Sequence, residues 1–313
     1  MKKTLAFVLP LLLASLLTFL IPDKRDPGVD ERLQLKRYQV ASVDELQSVF
    51  DSLGYSWPPQ SESPIPAIEI SRFPEDLAQV SDIQQKKALF FQVLLPIVLA
   101  ENEKLAELRH HAKQFLDKGV SQLEESERRW LDVIARQYEV KGSLDDVRMQ
   151  ERLLIHLDEV PPALVLAQAA NESAWGTSRF ARLGNNLFGQ WTYRQSQQGI
   201  VPLARPEGES YAVRAFSSID ASVRAYLHNL NTHPAYKKLR RLRSDMRKAE
   251  QPLNAHTLAN GLLAYSQRGE AYIEEIQAMM RVNRLTEVLR SVSLERSDDA
   301  LTQLPPAVAS AAG

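Results

Sequence analysis

The sequence predicts a mainly α-helical protein, and three observations support this class. Apolar residues recur at spacings of three and four from residue 76 onward, which is the helical period. Two prolines and a glycine bracket a long apolar run over 160–176, at positions that favour the start and the end of a helix. Strand signals are sparse, and the strongest, over 189–216, indicates a small β-hairpin.

The composition narrows the functional classes. The formal net charge of -1, with no nucleic-acid-binding motif, argues against a nucleic-acid partner. The absence of cysteine excludes disulfides, cysteine nucleophiles and thiolate metal sites. The six histidines form no zinc-binding pattern, so we expect neither a metal nor a cofactor. Separately, we expect the protein to be a monomer.

The N-terminus predicts export from the cytoplasm. Lys2 and Lys3 precede an apolar run over 5–21, which is the pattern of a secretion signal. A buried core helix is the alternative, but this run has no polar face. Since about 17–20 apolar residues also span a bilayer, residues 1–22 are interpreted as a signal peptide or an uncleaved signal anchor.

Two segments are expected to lack a core of their own. Residues 23–75 contain repeated prolines and no sustained period, and predict an extended linker with a short helix at 44–53. Residues 291–313 are rich in serine, aspartate, proline and alanine, and predict a disordered tail.

Residues 76–150 predict a helical extension. Its first helix is expected to kink or split at Pro96, because proline removes a backbone hydrogen bond. A second helix is predicted over 126–138. Ser143 and Asp146 predict a capping box at the start of a third.

Glu172 is the strongest candidate for chemistry. It lies in the last turn of the apolar helix at 160–176, where burial and the helix dipole both raise the pKa of a carboxyl group. A carboxylic acid that keeps its proton near neutral pH is suited to general acid catalysis. Trp175, three residues later, is expected on the same face, as an apolar wall for the acid or a platform for a sugar ring. The alternative is a structural ion pair with Arg179 or Arg182.

The segment after this helix resembles a carbohydrate-binding wall. Amides bind hydroxyl and acetamide groups, and aromatic rings stack on the apolar faces of sugars. The predicted substrate-binding residues of this segment are Trp175, Asn186, Phe188, Gln190 and Trp191.

The run AQAANESAWGTS at 167–178, followed by NNLFG at 185–189, resembles the signature of glycoside hydrolase family 73. Members of that family are endo-β-N-acetylglucosaminidases that cut peptidoglycan and have a lysozyme-like fold. Further stretches carry a closer resemblance within bacterial members, over 86–91, 229–236 and 265–272. The resemblance extends over about 84–285 and implies a glucosaminidase domain at 151–290.

By this resemblance Glu172 matches the catalytic acid. Tyr265 matches the tyrosine of a Tyr-x-x-x-Gly/Pro-x-x-Tyr element that lines the cleft, and is the second predicted catalytic residue; a buried core tyrosine is the alternative reading. Tyr236, in the stretch at 229–236, is also predicted to bind substrate.

Most glycosidases use a second carboxylate besides the acid, and the sequence has no clear match to one. Glu207 and Glu209 fall in the hairpin region where several members carry a glutamate, but both also fit solvated hairpin positions. We therefore favour a mechanism with one acid, in which the N-acetyl group of the substrate acts as internal nucleophile.

Together these observations predict a hydrolase of β-1,4 glycosidic bonds next to N-acetylglucosamine, acting on peptidoglycan strands in the periplasm or cell envelope. Residues 5–21 would attach it to the inner membrane if they are not removed. The alternatives are a lytic transglycosylase and a non-catalytic wall-binding or regulatory module. A basic run at 237–248 fits either a solvated helix face or contact with the anionic envelope.

Overall fold

The computed structural model describes residues 35–60, 63–193, 197–203, 205–206 and 208–295. Helices dominate this part of the chain, and two small sheets accompany them, so the predicted mainly α class is confirmed. The predicted secretion signal at 1–22 lies outside the described residues, as does the chain after residue 295.

The first described segment is folded rather than extended. It contains strand β1 (Lys36–Tyr38), helix α1 (Val43–Ser52) and strand β2 (Ile68–Ile70), and β1 pairs in parallel with β2. The expected short helix is present as α1, which buries Leu46 and Phe50 completely. The prediction of a linker is therefore wrong for the described part of 35–75, because its apolar side chains join the main core.

Helix α2 (Ile83–Lys118) runs through Pro96 without a break, so the predicted split at this proline is wrong. Every residue from 89 to 102 on this helix is buried, so packing on all sides outweighs the hydrogen bond that the proline removes. Among the described residues α2 has the length and hydropathy of a membrane span, but 67% of its apolar window is buried inside the protein.

Two shorter helices complete the predicted extension, namely α3 (Glu125–Gln137) and α4 (Val147–His156). The capping box predicted for α4 is wrong. Asp146 itself is the N-cap and accepts a hydrogen bond from the Arg148 amide at 2.9 Å, whereas Ser143 accepts from the Asp145 amide at 3.2 Å.

The central helix is α5 (Pro162–Ser173), whose residues from 163 to 170 are all buried and which packs against α2 and α10. It is followed by α6 (Arg179–Gly184) and by strands β3 (Trp191–Thr192), β4 (Gly199–Ile200) and β5 (Ala212–Arg214). The expected hairpin is a three-stranded antiparallel sheet in the order β3-β5-β4.

Up to residue 295, where the description ends, five further α-helices follow: α7 (Ile219–Thr232), α8 (Lys237–Lys248), α9 (Ala255–Ala259), α10 (Glu270–Val282) and α11 (Leu285–Val288). The residues after α11 then return to the N-terminal segment. The Ile65 amide donates to the Ser293 carbonyl, and the Glu295 amide donates to the Ile65 carbonyl, each at 2.8 Å. Because Leu294 is buried, the predicted disordered tail is wrong for residues 291–295.

The basic run on α8 is only partly a surface feature. Arg240 and Arg243 are buried, and Arg247 pairs with Asp158 at 2.8 Å. Burial by itself raises the pKa of the Asp158 carboxyl, but the charges of Arg243, Arg247 and Arg109 hold it below its usual range. The basic residues of α8 therefore have two roles: some are buried partners of Asp158, and the others form an exposed face of the helix.

We expect His156, at the end of α4, to make stability depend on pH. Burial first, and then the charge of Arg240, lower the pKa of His156 from 6.5 to about 4. The unfolded chain therefore binds a proton at higher pH than the folded protein, so stability falls as pH drops from about 6.5 towards 4. We expect a loss of about 1 kcal/mol between pH 7 and pH 5, allowing for partial exposure.

Urea unfolding at both pH values would measure this loss. A His156→Gln protein, whose amide can still donate to the Tyr138 carbonyl, is expected to lose less stability over the same interval. An equal loss in both proteins would contradict the assignment.

Candidate active site

Glu172 lies in the last turn of α5, and the chain beyond it turns sharply. Ser173 holds this turn, since its hydroxyl donates to the Ala169 carbonyl at 2.6 Å and accepts from the Gly176 amide at 2.8 Å. Ala174, Trp175 and Gly176 all have positive φ, at 49°, 59° and 77°. The helix has therefore ended before Trp175, so the predicted shared helical face of Glu172 and Trp175 is wrong.

Trp175 instead packs against α2. Its ring makes edge contacts with Phe90 and Phe91, at centroid distances of 5.7 Å and 5.3 Å. The Lys87 ammonium lies 4.9 Å from the ring centroid. These contacts join the end of α5 to the helical extension, and a sugar-binding role for Trp175 stays a prediction.

The Glu172 carboxyl has polar neighbours and a close backbone segment. The Asn171 amide donates to Oε1 at 3.4 Å, and the Tyr272 hydroxyl is close enough to lower the pKa of the carboxyl. Gly189 has a φ of 64°, and a β-carbon built there would lie 3.7 Å from Oε2. The loop that follows α6 therefore passes beside the acid with its backbone.

The pKa of Glu172 is raised, chiefly because burial disfavours the charged form. The bonds from Tyr272 and Asn171 offset part of this rise, the charge of Glu275 adds to it, and the charge of Arg268 opposes it. Arg179, one of the two predicted structural ion-pair partners, donates instead to the Val201 carbonyl at 3.2 Å.

Four tyrosines and a phenylalanine form a wall around this carboxyl: Phe188, Tyr226, Tyr236, Tyr265 and Tyr272. Tyr265 stacks on Tyr272 at 5.3 Å, and Phe188 stacks on Tyr226 at 3.8 Å. Burial raises the pKa of each tyrosine, and the negative charge of Glu172 raises it further. The charge of Glu172 acts on all four phenols, which indicates that they lie near the acid.

Tyr265 is half-buried, and its hydroxyl donates to the Phe188 carbonyl at 2.8 Å. It therefore ties the loop after α6 to the turn before α10. Tyr236 is only 4% exposed and contacts the Tyr265 ring at 5.9 Å. Both predicted residues lie in the wall, but Tyr236 offers little surface to a substrate.

Asn186 is buried and its side chain is occupied. Its amide donates to the carbonyls of Gln190 and Arg214, both at 2.8 Å, and its oxygen accepts from the amides of Phe188 and Gln190. All four bonding positions are used, so the predicted role of Asn186 in substrate binding is wrong and its side chain shapes the loop. Phe188 is 2% exposed and is likewise unavailable as a stacking platform.

The remaining predicted residues lie on the loop and the three-stranded sheet. Gln190 and Trp191 are half-buried, and Trp191 contacts Tyr211 edge-to-face at 5.2 Å. Glu209 is exposed between β4 and β5, and Glu207 lies outside the described residues. The described geometry thus gathers Glu172 and the tyrosines, while substrate contacts by Gln190 and Trp191 remain predictions.

Sequence reasoning missed Gln168, Tyr272 and the Arg268–Glu275 ion pair, whose atoms are 2.8 Å apart. Tyr272 is the second tyrosine of the Tyr-x-x-x-Gly-x-x-Tyr element, so that element contained a signal for it. Gln168 precedes Glu172 by four residues and therefore lies on the same face of α5. The signal available in the sequence was that Gln168 is an isolated amide in an otherwise apolar stretch of α5.

The Arg268–Glu275 pair is expected to adjust the acidity of Glu172 in opposite directions. Removing the negative charge in Glu275→Gln lowers the pKa of Glu172, and removing the positive charge in Arg268→Gln raises it. If Glu172 acts in its protonated form, the basic limb of the pH–rate profile moves down in the first variant and up in the second. Each shift should be about 0.3–0.5 pH unit, the size expected for partly exposed charges.

Rates measured from pH 5 to pH 9 at low salt would test both signs. High salt should shrink both shifts, because it screens exposed charges. Shifts of the same sign in the two variants would contradict an electrostatic origin.

Comparisons with known proteins agree with the early resemblance. A family described as Glucosaminidase, mannosyl-glycoprotein endo-beta-N-acetylglucosaminidase, matches residues 154–285. The Bax protein of Escherichia coli (strain K12) is 34% identical over 212 residues, which cover 67% of this chain and 74% of Bax.

Two solved structures show a weaker likeness. The catalytic domain of the autolysin Auto from Listeria monocytogenes has a TM-score of 0.32 and 17% identity, covering 56% of this chain and 96% of that domain. A glycoside hydrolase domain of FlgJ from Salmonella typhimurium has a TM-score of 0.29 and 19% identity, covering 59% and 98%. Because the family match contains Glu172 and the likeness to Bax extends over most of both chains, this chain belongs to the glucosaminidase family of glycoside hydrolases.

Proposed function

We propose that this protein hydrolyses β-1,4 glycosidic bonds of peptidoglycan next to N-acetylglucosamine, with Glu172 as general acid. The observation that carries the proposal is the placement of the Glu172 carboxyl at the end of α5, beside the Gly189 backbone and the tyrosine wall, where burial raises its pKa. Membership of the glucosaminidase family supports the bond type, and the resemblance to glycoside hydrolase family 73 supports the polymer.

In this proposal Glu172 gives its proton to the glycosidic oxygen as the bond to the leaving sugar breaks. Burial favours the protonated form of the carboxyl group, which is the form that a general acid needs. Tyr265 ties the loop beside the acid through its bond to the Phe188 carbonyl, and its half-buried ring borders the reacting sugar. Gln190 and Trp191 supply further contacts to the glycan.

The second half of the displacement needs no second protein carboxylate. Glu209 is exposed on the segment between β4 and β5, which favours the reading of a solvated residue. We therefore propose that the substrate's acetamide oxygen attacks the anomeric carbon, and that water then opens the resulting ring. Loss of cleavage with glycans that lack the acetamide carbonyl would support this route, and a second essential glutamate would argue against it.

We further propose that the protein acts in the cell envelope, where its substrate lies, and that it acts as a monomer. Residues 5–21 would either direct export and be removed or hold the enzyme in the inner membrane.

Mass spectrometry of a peptidoglycan digest would test the proposed reaction. A hydrolytic glucosaminidase leaves fragments with N-acetylglucosamine at a reducing end. Fragments that end in an anhydro sugar would instead identify a lytic transglycosylase. A protein that binds the polymer and releases no fragment would be a non-catalytic wall-binding module.

A further inference from the structure

A chain of buried hydrogen bonds leads to the Glu172 carboxyl from one side. The Tyr226 hydroxyl on α7 donates to Oε1 of Gln168 on α5. The Nε2 atom of Gln168 donates to the Tyr272 hydroxyl oxygen on α10 at 2.9 Å. The Tyr272 hydroxyl is next to Glu172 and lowers the pKa of that carboxyl. Gln168 and Tyr226 are both fully buried, and Tyr272 is 2% exposed.

The chemistry of the Gln168 amide fixes which group donates in each hydrogen bond of this series. An amide carbonyl only accepts hydrogen bonds, so Tyr226 has to donate to it. An amide NH₂ group only donates, so the oxygen of Tyr272 accepts from Gln168 and its proton points elsewhere. The Glu172 carboxylate accepts only, which matches the proton that Tyr272 has left to give. Each bond in the chain therefore specifies the direction of the next.

We propose that Gln168 and Tyr226 are positioning residues that hold the Tyr272 hydroxyl with its proton directed at Glu172, and so confine the acid's own proton to its other carboxyl oxygen. The inference rests on the proposed function, since it assigns these residues a part in the delivery of that proton. Neither residue touches the reacting atoms, because Gln168 acts through Tyr272 and Tyr226 acts through Gln168.

The groups that face Glu172 come from several elements. Tyr272 and Glu275 lie on α10, and Arg268 lies in the turn before it. Tyr226 lies on α7, Tyr236 in the turn before α8, and Tyr265 before α10. Within this set Gln168 makes no charge contribution, so its replacement by an apolar residue acts on Glu172 through the Tyr272 hydroxyl.

The direct test is the titration of Glu172 by carbon-13 NMR in protein labelled at glutamate, with the signal assigned by its loss in Glu172→Gln. We expect Tyr272→Phe to raise the pKa of Glu172 by about 0.5–1 pH unit, because the bond it removes favours the charged form. Gln168→Met should raise it in the same direction by no more than this, since the hydroxyl loses the donor that orients it. Tyr226→Phe, which removes one hydroxyl, should give a smaller rise.

The double variant Gln168→Met/Tyr272→Phe separates positioning from general damage. If Gln168 acts through Tyr272, the double variant has the same Glu172 pKa as Tyr272→Phe alone. Tyr55→Phe is a matched control, because the Tyr55 hydroxyl is buried and has no hydrogen-bond partner among the described residues. It should leave the titration of Glu172 unchanged.

The proposal is overturned if Gln168→Met and Tyr226→Phe both leave the pKa of Glu172 unchanged, or if the double variant shows the sum of the two single shifts. Tyr226→Phe keeps the test open if Gln168→Met does not fold. The titration needs no substrate, so it also separates two failures. Cleaved glycan with unshifted titrations would reject positioning alone, whereas shifted titrations with no cleaved glycan would reject the proposed function alone.

Discussion

A Glu172→Gln protein is expected to lose about 10²–10⁴-fold in the rate of peptidoglycan cleavage, the usual contribution of a general acid. The amide has the size of the carboxyl group and can still accept a hydrogen bond from Tyr272, but it has no acidic proton to transfer. Folding and glycan binding should therefore be retained. The measurement is the release of soluble fragments from purified peptidoglycan, together with a pelleting assay for binding.

Glu151→Gln is the matched control for that experiment. Glu151 is exposed on α4, away from the tyrosine wall, and its amide variant should cleave at the rate of the unchanged protein. Equal rates for Glu172→Gln and the unchanged protein would reject Glu172 as the acid. Loss of binding along with cleavage would point to a structural role for the carboxyl group.

The largest effect on stability is expected from Arg243→Met. The Arg243 guanidinium is buried and donates to the carbonyls of Ile155, Asp158 and Glu159 at 2.9–3.0 Å, and to the Asn231 side chain at 2.7 Å. Methionine fills a similar volume but removes four hydrogen bonds, leaves the Asp158 carbonyl with its bond from Asn231, and removes one counter-charge from Asp158. Breaking a buried ion pair in this way costs about 3–5 kcal/mol.

Urea unfolding of Arg243→Met beside Arg241→Met would measure that loss. Arg241 is on the same helix but its side chain is 83% exposed, so its replacement should change the free energy of unfolding by less than about 0.5 kcal/mol. Similar midpoints for the two variants would show that the buried cluster does not stabilise the fold.

The candidate site was predictable only in part. Glu172 could be found because its helix is marked locally, by prolines at the start and by a run of small apolar residues that indicates burial. Tyr265 was placed by its motif, and the structure puts it in the wall beside the acid. The raised pKa of Glu172 follows the same local argument, because even a half-buried carboxyl group at the end of a buried helix is partly shielded from water.

Local reasoning failed for the substrate contact of Asn186 and for the helical position of Trp175. Both residue types suit sugar binding, but Asn186 is enclosed by backbone groups of Gln190 and Arg214. Trp175 lies beyond the helix end, where three consecutive left-handed residues turn it towards α2. Whether a polar or aromatic side chain faces a cleft depends on the segments packed around it, and residue type does not report that.

The sequence alone determined the helical class, the position of α5 and the acidic residue at its end, because periodicity and helix-end signals are properties of neighbouring residues. The tertiary structure decided that residues 35–75 fold onto the core and that Asp158 is balanced by arginines of α8. It also decided that the pKa of Glu172 is influenced by Tyr272, a residue 100 positions later. These arrangements depend on contacts between segments that are far apart in the sequence. The contacts become favourable only when apolar surface is buried between those segments, so no local pattern reports them.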